Sequence, residues 1–268
     1  MQLLSLEFGL SSDLFPDPLD APKCAKINQS GFRFIEIMGR APHYDMRVSD
    51  LPTRWRPMLE EHGLRVHSFH IPYGELYHPD ASQWPRARQT IEQSMDHLVA
   101  LGGELLILHA GGLTGTGSDI DEPVQRALRN LEEVLDLCSA HGADLRICLE
   151  HEGENIEGIL EILNRTDDPR VGFCFDSGHA QIYPGNFDFL TDFAGRIYAV
   201  HLSDNLGHSD DHLPPYKGIV DWTSLVPKLL ESSYLGPWHL EVSPGQDSYR
   251  TLADMVESMH RIEALLRS

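Results

Sequence analysis

The sequence predicts a closed (β/α)8 barrel forming one domain over residues 1–268, and three observations lead there. Eight short apolar runs rich in Leu, Ile, Val and Phe recur at near-even spacing. Segments with helical periodicity separate them. No Ser- or Gly-rich linker interrupts the alternation, and about 250 residues is an ordinary size for one such barrel. Strands alternating with helices imply βαβ units and a parallel sheet. The competing arrangement, an open doubly wound sheet, would offer a glycine-rich phosphate loop after its first strand. "FGLSSDLFP" is not GxGxxG, and "GGLTGTG" (111–117) lacks the Lys-Ser/Thr of a P-loop and reads as a βα loop.

In chain order the runs are "LLSLEF", "FRFIEI", "LRVHSFH", "LLILHA", "LRICLE", "VGFCFD", "RIYAVHL" and "WHLEV". Each has the length and apolar content of a buried strand. The clearest helices are "WPRARQTIEQSMDHLVALGG", "EPVQRALRNLEEVLDLCSAHG" and the terminal "YRTLADMVESMHRIEALLRS". Several helical segments end at glycine, the usual stop signal.

Composition narrows the function classes. A formal charge of −20, with 41 acidic against 21 basic residues, repels phosphate backbones and anionic membranes, so no nucleic acid or membrane partner is expected. Cys24, Cys138, Cys148 and Cys174 have no CxxC spacing, which favours reduced thiols and a cytoplasmic setting. No run approaches the roughly 20 apolar residues of a membrane span, and "MQLLSLEFGL" lacks a basic n-region and cleavage site.

In such barrels the chemistry sits at the C-terminal ends of the strands. Runs three to eight end in His70, His109, Glu150, Asp176, His201 and Glu241. Residues two apart share a strand face, so Ser68 with His70, Cys148 with Glu150 and Cys174 with Asp176 point the same way. A lone Asp or Glu at a strand end is often a helix cap, and a lone His often a rim residue. Six of eight strands ending this way is hard to assign to caps alone. Carboxylates and imidazoles converging at one mouth lose hydration and repel unless a cation sits between them. Glu150, Asp176, His201 and Glu241 form an oxygen-rich set suited to Mn²⁺ or Mg²⁺, with Zn²⁺ or Co²⁺ tolerable. The stretch "VHLSDNLGHSDDHLPP" (200–215) adds further histidines and aspartates on what reads as a loop.

At these residues the chain resembles the xylose isomerase-like TIM-barrel superfamily, which includes ketose 3-epimerases, hydroxypyruvate isomerase and endonuclease IV. Resemblance to the ketose 3-epimerases, carried by "FDSGHA" and "HLSDN", implies one divalent ion on Glu150, Asp176, His201 and Glu241, with His179 completing a DxxH pair. Resemblance to endonuclease IV implies up to three Zn²⁺ held by His70, His109, Glu150, Asp176, His179, His201, Asp210, His212 and Glu241. "HIPY" (70–73) resembles a motif of that family too. Two departures stand out. Where the epimerases carry a substrate-binding arginine after the strand-seven His, this chain has "NLGHSDD", and Gly74 follows Tyr73 where the nuclease inserts a bulky residue into DNA.

The leading expectation is therefore a metal-dependent isomerase or epimerase acting on a sugar or small hydroxy-ketone through an enediolate. Glu150 and Glu241 would transfer the proton, and the substrate would be an unphosphorylated carbohydrate. The alternatives are an endonuclease IV-like phosphodiesterase and a keto-sugar or keto-inositol dehydratase. A single metal is favoured, with Asp210 and His212 on a lid, and a homo-oligomer is left open.

Overall fold

A computed structural model of the chain describes residues 6–71, 75–114, 117–141, 144–183 and 187–266. Eight parallel strands close into a barrel in sequence order. They are β1 (Phe8–Ser11), β2 (Phe34–Met38), β3 (Arg65–His70), β4 (Leu105–His109), β5 (Arg146–Glu150), β6 (Val171–Asp176), β7 (Ile197–Leu202) and β8 (Trp238–Leu240). Helices follow the strands: α1 (Ala21–Gln29), α2 (Leu51–Glu61), α3 (Trp84–Leu101), α4 (Asp121–Ala140), α5 (Ile156–Arg165), α6 (Ser177–Ile182), α7 (Trp222–Glu231) and α8 (Ser248–Leu265). The barrel predicted from the sequence is the barrel observed. None of the described helices is long and apolar enough to cross a membrane. All four cysteines are buried free thiols.

One strand sits elsewhere than expected. The run "LLSLEF" begins in residues 1–5, outside the described residues, and β1 starts only at its last residue, Phe8. Gly9 stands inside this strand. A β-carbon there would lie 2.3 Å from the His239 ring, so the glycine lets β8 project a histidine across the lumen.

The strands bury two layers. A continuous apolar shell fills the space between strands and helices, while Leu105, Ile107, Cys148, Cys174 and Ala199 form a small separate cluster inside the barrel. Period-two alternation dictates this split. The same alternation carries the inward positions one step further up each strand, to His109, Glu150, Asp176 and His201. The apolar lumen becomes polar at its C-terminal mouth.

The floor of the lumen holds a second histidine pair. His67 stacks on His239 with ring centroids 4.8 Å apart, and His67 Nδ1 and both nitrogens of His239 are buried without partners. Burial, reinforced by the charges of Arg146 and His201, pushes the His67 pKa down to about 4. A histidine depressed in the fold takes up its proton first in the unfolded chain. Its stabilising contribution is therefore complete above pH 6.5 and is lost as pH falls towards 4. Between pH 7 and pH 5 this ring alone accounts for about 2 kcal/mol. H67F, which keeps the stack but cannot titrate, should lose correspondingly less unfolding free energy over that interval. Parallel pH dependences for variant and wild type in denaturant titrations would refute the assignment.

Candidate metal centre

All nine residues singled out from the sequence converge at the mouth; eight of them fall into overlapping donor groups, three of which together take in all eight, and His212 joins through Asp210, 2.7 Å from its Nε2. His70, His109 and Glu150 make one; Glu150, Asp176, His201 and Glu241 a second; Asp176, His179 and Asp210 a third. In each group the donor atoms lie within 4.8 Å of one another. Glu150 belongs to the first two and Asp176 to the last two. The two shared carboxylates turn separate clusters into one continuous centre.

Glu150 divides its oxygens between neighbours. Oε2 lies 2.8 Å from His70 Nε2 and 3.1 Å from His109 Nε2, while Oε1 lies 2.9 Å from His201 Nδ1. Burial alone would raise its pKa, but His201, His70 and His109 outweigh that and hold it well below the usual carboxylate range. Burial likewise opposes ionisation of Glu241, and His201 and His212 overcome it, bringing it down to about 2. Asp176 goes the other way. Burial raises it to about 6, with Asp210, Glu150 and Glu241 adding repulsion that the opposing His179 does not cancel. A carboxylate this far from water is short of positive charge.

Asp176 is a helix cap and a site residue at once. Its Oδ1 accepts from the His179 backbone N–H at 2.7 Å at the start of α6, and its Oδ2 is buried with no partner. Glu241 Oε2 is similar. It lies 2.8 Å from His201 Nδ1, a nitrogen also 2.9 Å from Glu150 Oε1, and makes no hydrogen bond. Two orphaned carboxylate oxygens aimed into one group fit a cation between them.

The histidines are set for the same task by what holds their other nitrogens. His179 Nδ1 donates to the His151 carbonyl at 2.7 Å, and His212 Nδ1 donates to the Glu241 carbonyl at 3.1 Å. Both present Nε2 to Asp210 Oδ2, at 3.3 and 2.7 Å. Fixing one nitrogen by a backbone carbonyl selects the tautomer that a metal needs. His212 adopts φ 47, a left-handed conformation that costs a histidine of order 1 kcal/mol and occurs mostly where surroundings enforce it. Gly178 makes room for the loop, because a β-carbon there would lie 3.0 Å from Asp210 Oδ1 and 2.7 Å from Ser203 Oγ.

The loop itself hangs on Asp204. This buried carboxylate accepts from the backbone N–H groups of Asn205, Tyr216 and Val220 and from the Trp222 indole, at 2.9–3.0 Å. A bridge pairs Asp204 with Leu213 across the loop's neck. Of the polar side chains in 200–215, His201, Asp210 and His212 reach the centre, Asp204 anchors, and Asp211 caps a turn through Leu206 and Ser209.

The sequence reading missed Glu36. It is buried on β2, its Oε2 accepts from Ser68 Oγ at 2.7 Å and lies 3.1 Å from His201 Nε2. A carboxylate behind a ligating histidine fixes the ring and raises its basicity. Its signal was a charged residue inside an apolar run, passed over because it stands mid-run and not at a strand end. E36Q keeps the volume and should weaken divalent-metal binding about 10- to 100-fold, read as the Co²⁺ or Zn²⁺ dissociation constant. An unchanged constant with a lowered melting temperature would make Glu36 a packing residue only.

The mouth encloses a cavity of about 250 Å³, lined among others by His70, Glu150, His179, Asp210, His212 and Glu241. Its one Lys or Arg among the described lining residues is Arg40, from the loop after β2, whose guanidinium is held by Asp13 at 2.9 Å. No arginine follows His201 closely, the next being Arg250; residues 205–211 fill that place. Tyr73 and Gly74 lie outside the described residues.

Barrel and mouth together define a (β/α)8 protein whose strand ends present metal-type ligands. Residues 24–259 match the family described as xylose isomerase-like TIM barrel, and the chain belongs to that family. It is similar to a probable endonuclease 4 of Staphylococcus saprophyticus, at 24% identity over 232 residues covering 69% of this chain and 75% of that one. Among solved structures it resembles a D-tagatose 3-epimerase-like protein, with TM-score 0.78 and 22% identity over 97% and 99% of the two chains. It also resembles the IOLI protein with a bound zinc atom, with TM-score 0.82 and 15% identity over 97% and 98%.

Proposed function

We propose that the chain is a divalent-metal-dependent enzyme that hydrolyses a phosphoester of a small molecule at a multinuclear centre. The observation that carries this reading is the overlap of the donor groups, with Glu150 joining His70 and His109 to the group of Asp176, His201 and Glu241, and Asp176 joining His179 and Asp210 to it. A single ion needs only the four-residue group; the flanking groups, each built on a carboxylate of that group, offer places for further ions. His70, His109 and Glu150 would hold one ion, Glu150, Asp176, His201 and Glu241 another, and Asp176, His179, Asp210 and His212 a third. Bound there, such ions would polarise a phosphoryl group and acidify a water. The IOLI neighbour's zinc supports a divalent ion on this fold, and the endonuclease 4 relatives support phosphodiester chemistry.

The chain's own residues supply the rest. Glu150 has both oxygens engaged by histidines, so it holds the centre together and is poorly placed to shuttle a proton. Arg40 offers a positive charge at the rim to an anionic substrate oxygen. The strongly acidic surface and a cavity of about 250 Å³ favour a small substrate over a DNA duplex.

The second reading is the isomerase or epimerase, with a dehydratase close to it. Glu241 favours it: the residue lines the cavity and its Oε2 is free of hydrogen bonds, as a proton-transferring carboxylate's should be. The epimerase-like neighbour supports it as well. One experiment separates the two. Metal-reconstituted protein is assayed on 4-nitrophenyl phosphate and bis(4-nitrophenyl) phosphate, and in parallel on a ketose panel in D₂O. Phosphoester cleavage that chelator abolishes is the expected result. No cleavage by fully loaded protein, with deuterium entering a ketose, would replace the hydrolase by the isomerase.

A further inference from the structure

A larger cavity, of about 420 Å³, opens beside the metal mouth between the start of α3 and the outer face of α4. Arg86, Arg126 and Arg129 line it together with Trp84. Glu75 borders both cavities, so the two are adjacent. We infer that this cavity is a phosphate-binding subsite contiguous with the metal centre.

Three guanidinium groups around one hollow stand out in a chain with 41 acidic and 21 basic residues. With acids in twofold excess, a surface arginine readily finds a carboxylate. Arg54, Arg56, Arg88 and Arg165 all do so. Arg86 and Arg129 form no ion pair among the described residues. Arg126 is held in place by its neighbours. Its guanidinium lies 4.5 Å from the centre of the Tyr77 ring, one amine donates to the Pro79 carbonyl at 3.3 Å, and its Nε is buried with no hydrogen-bond partner. Its one carboxylate, Glu122, is 3.8 Å away.

The walls are fixed as well. Asn130 Nδ2 donates to the Leu76 carbonyl at 2.8 Å, tying α4 to the segment after β3, and the Trp84 indole donates to Glu133 at 3.2 Å. Of the two lining acids, Glu75 stands on the side shared with the metal mouth, and Asp80 is spent on its own chain, accepting from the Ser82 backbone and the Gln83 amide. Planar forks on rigid walls suit phosphate oxygens, which guanidinium groups bind in pairs.

This inference extends the phosphoester reading, and it reverses the expectation of an unphosphorylated substrate. The test reads the cavity directly. Metal-loaded protein labelled with ¹⁵N is titrated with inorganic phosphate, and the Trp84 indole N–H resonance is followed. The expected result is a saturable shift that equimolar chloride at matched ionic strength does not produce. R86Q/R129Q should bind phosphate at least tenfold more weakly by this signal while keeping its metal content and melting temperature. Should the double variant misfold, R129Q alone should weaken binding severalfold. No saturable shift, or a shift retained in the variants, overturns the site. Fructose 1,6-bisphosphate serves as a second probe. Binding at least tenfold tighter than inorganic phosphate identifies the tail of a substrate seated in both cavities, and equal affinity identifies free phosphate as the occupant. Failure at Trp84 would leave metal-dependent hydrolysis standing, and failed hydrolysis would leave the Trp84 result standing.

Discussion

Purified protein given Zn²⁺, Mn²⁺ or Co²⁺ should hold more than one ion per chain and lose a large part of its stability in chelator. Each ion present at a hundred times its dissociation constant contributes about 2.7 kcal/mol. For a chain of this size each such ion corresponds to a melting shift of roughly 5–10 °C. E150Q tests the centre at its most connected point. The variant keeps the volume and one oxygen, but it removes the charge shared by His70, His109 and His201. It should bind at least one ion fewer and show a much smaller chelator effect than wild type. Its metal-free form should fall below metal-free wild type by about 3–5 kcal/mol, the usual cost of breaking one side of a buried ion pair. A variant with wild-type metal content and wild-type chelator sensitivity would show that Glu150 does not bridge the clusters.

D204A should have the next largest effect, although Asp204 touches none of the ligand atoms. Removing its carboxylate leaves the N–H groups of Asn205, Tyr216 and Val220 and the Trp222 indole without their acceptor. At roughly 1–3 kcal/mol for each buried donor left unsatisfied, a total of at least about 4 kcal/mol is at stake. The loop need not take the whole barrel with it. Local opening would appear as lost hydrogen-exchange protection at Asn205, Tyr216 and Val220 and as loss of the ion held by Asp210 and His212. Full protection and an unchanged metal count in D204A would mean that the loop is held by its Leu213 bridge and its packing alone.

What could be read along the chain was whatever repeats or stands at a marked position. The barrel was legible because eight apolar runs must each be buried on both faces, and only helices laid between them do that. His70, His109, Glu150, Asp176, His201 and Glu241 were legible because a strand end is a definable place and polar residues recur there. His179 and the Asp210–His212 pair were legible only through resemblance, since nothing local marks a loop aspartate as a ligand. "DDHLPP" reads equally well as a solvated turn, and Asp211 is one.

The tertiary structure alone decided the rest. Glu36 stands 165 positions from His201 and meets it across the lumen, a contact that depends on the shear of the closed barrel and on the register shift between β2 and β3. That position 9 needs a glycine follows only from the fold, where the His239 ring takes the space of a β-carbon. The number of metals proposed also rests on the fold. Alternation along strands gives the direction of each side chain but not which carboxylate is shared. Sharing is set by distances between different strands, and these place Glu150 between two groups and Asp176 between two more. The arginine cavity is of the same kind. Arg86 and Arg129 lie on different helices, and only the docking of α3 against α4 makes one pocket of two unremarkable surface charges. Period and composition are local properties, so a sequence carries them openly; ligation, bridging and enclosure arise between distant segments and exist only once the chain has folded.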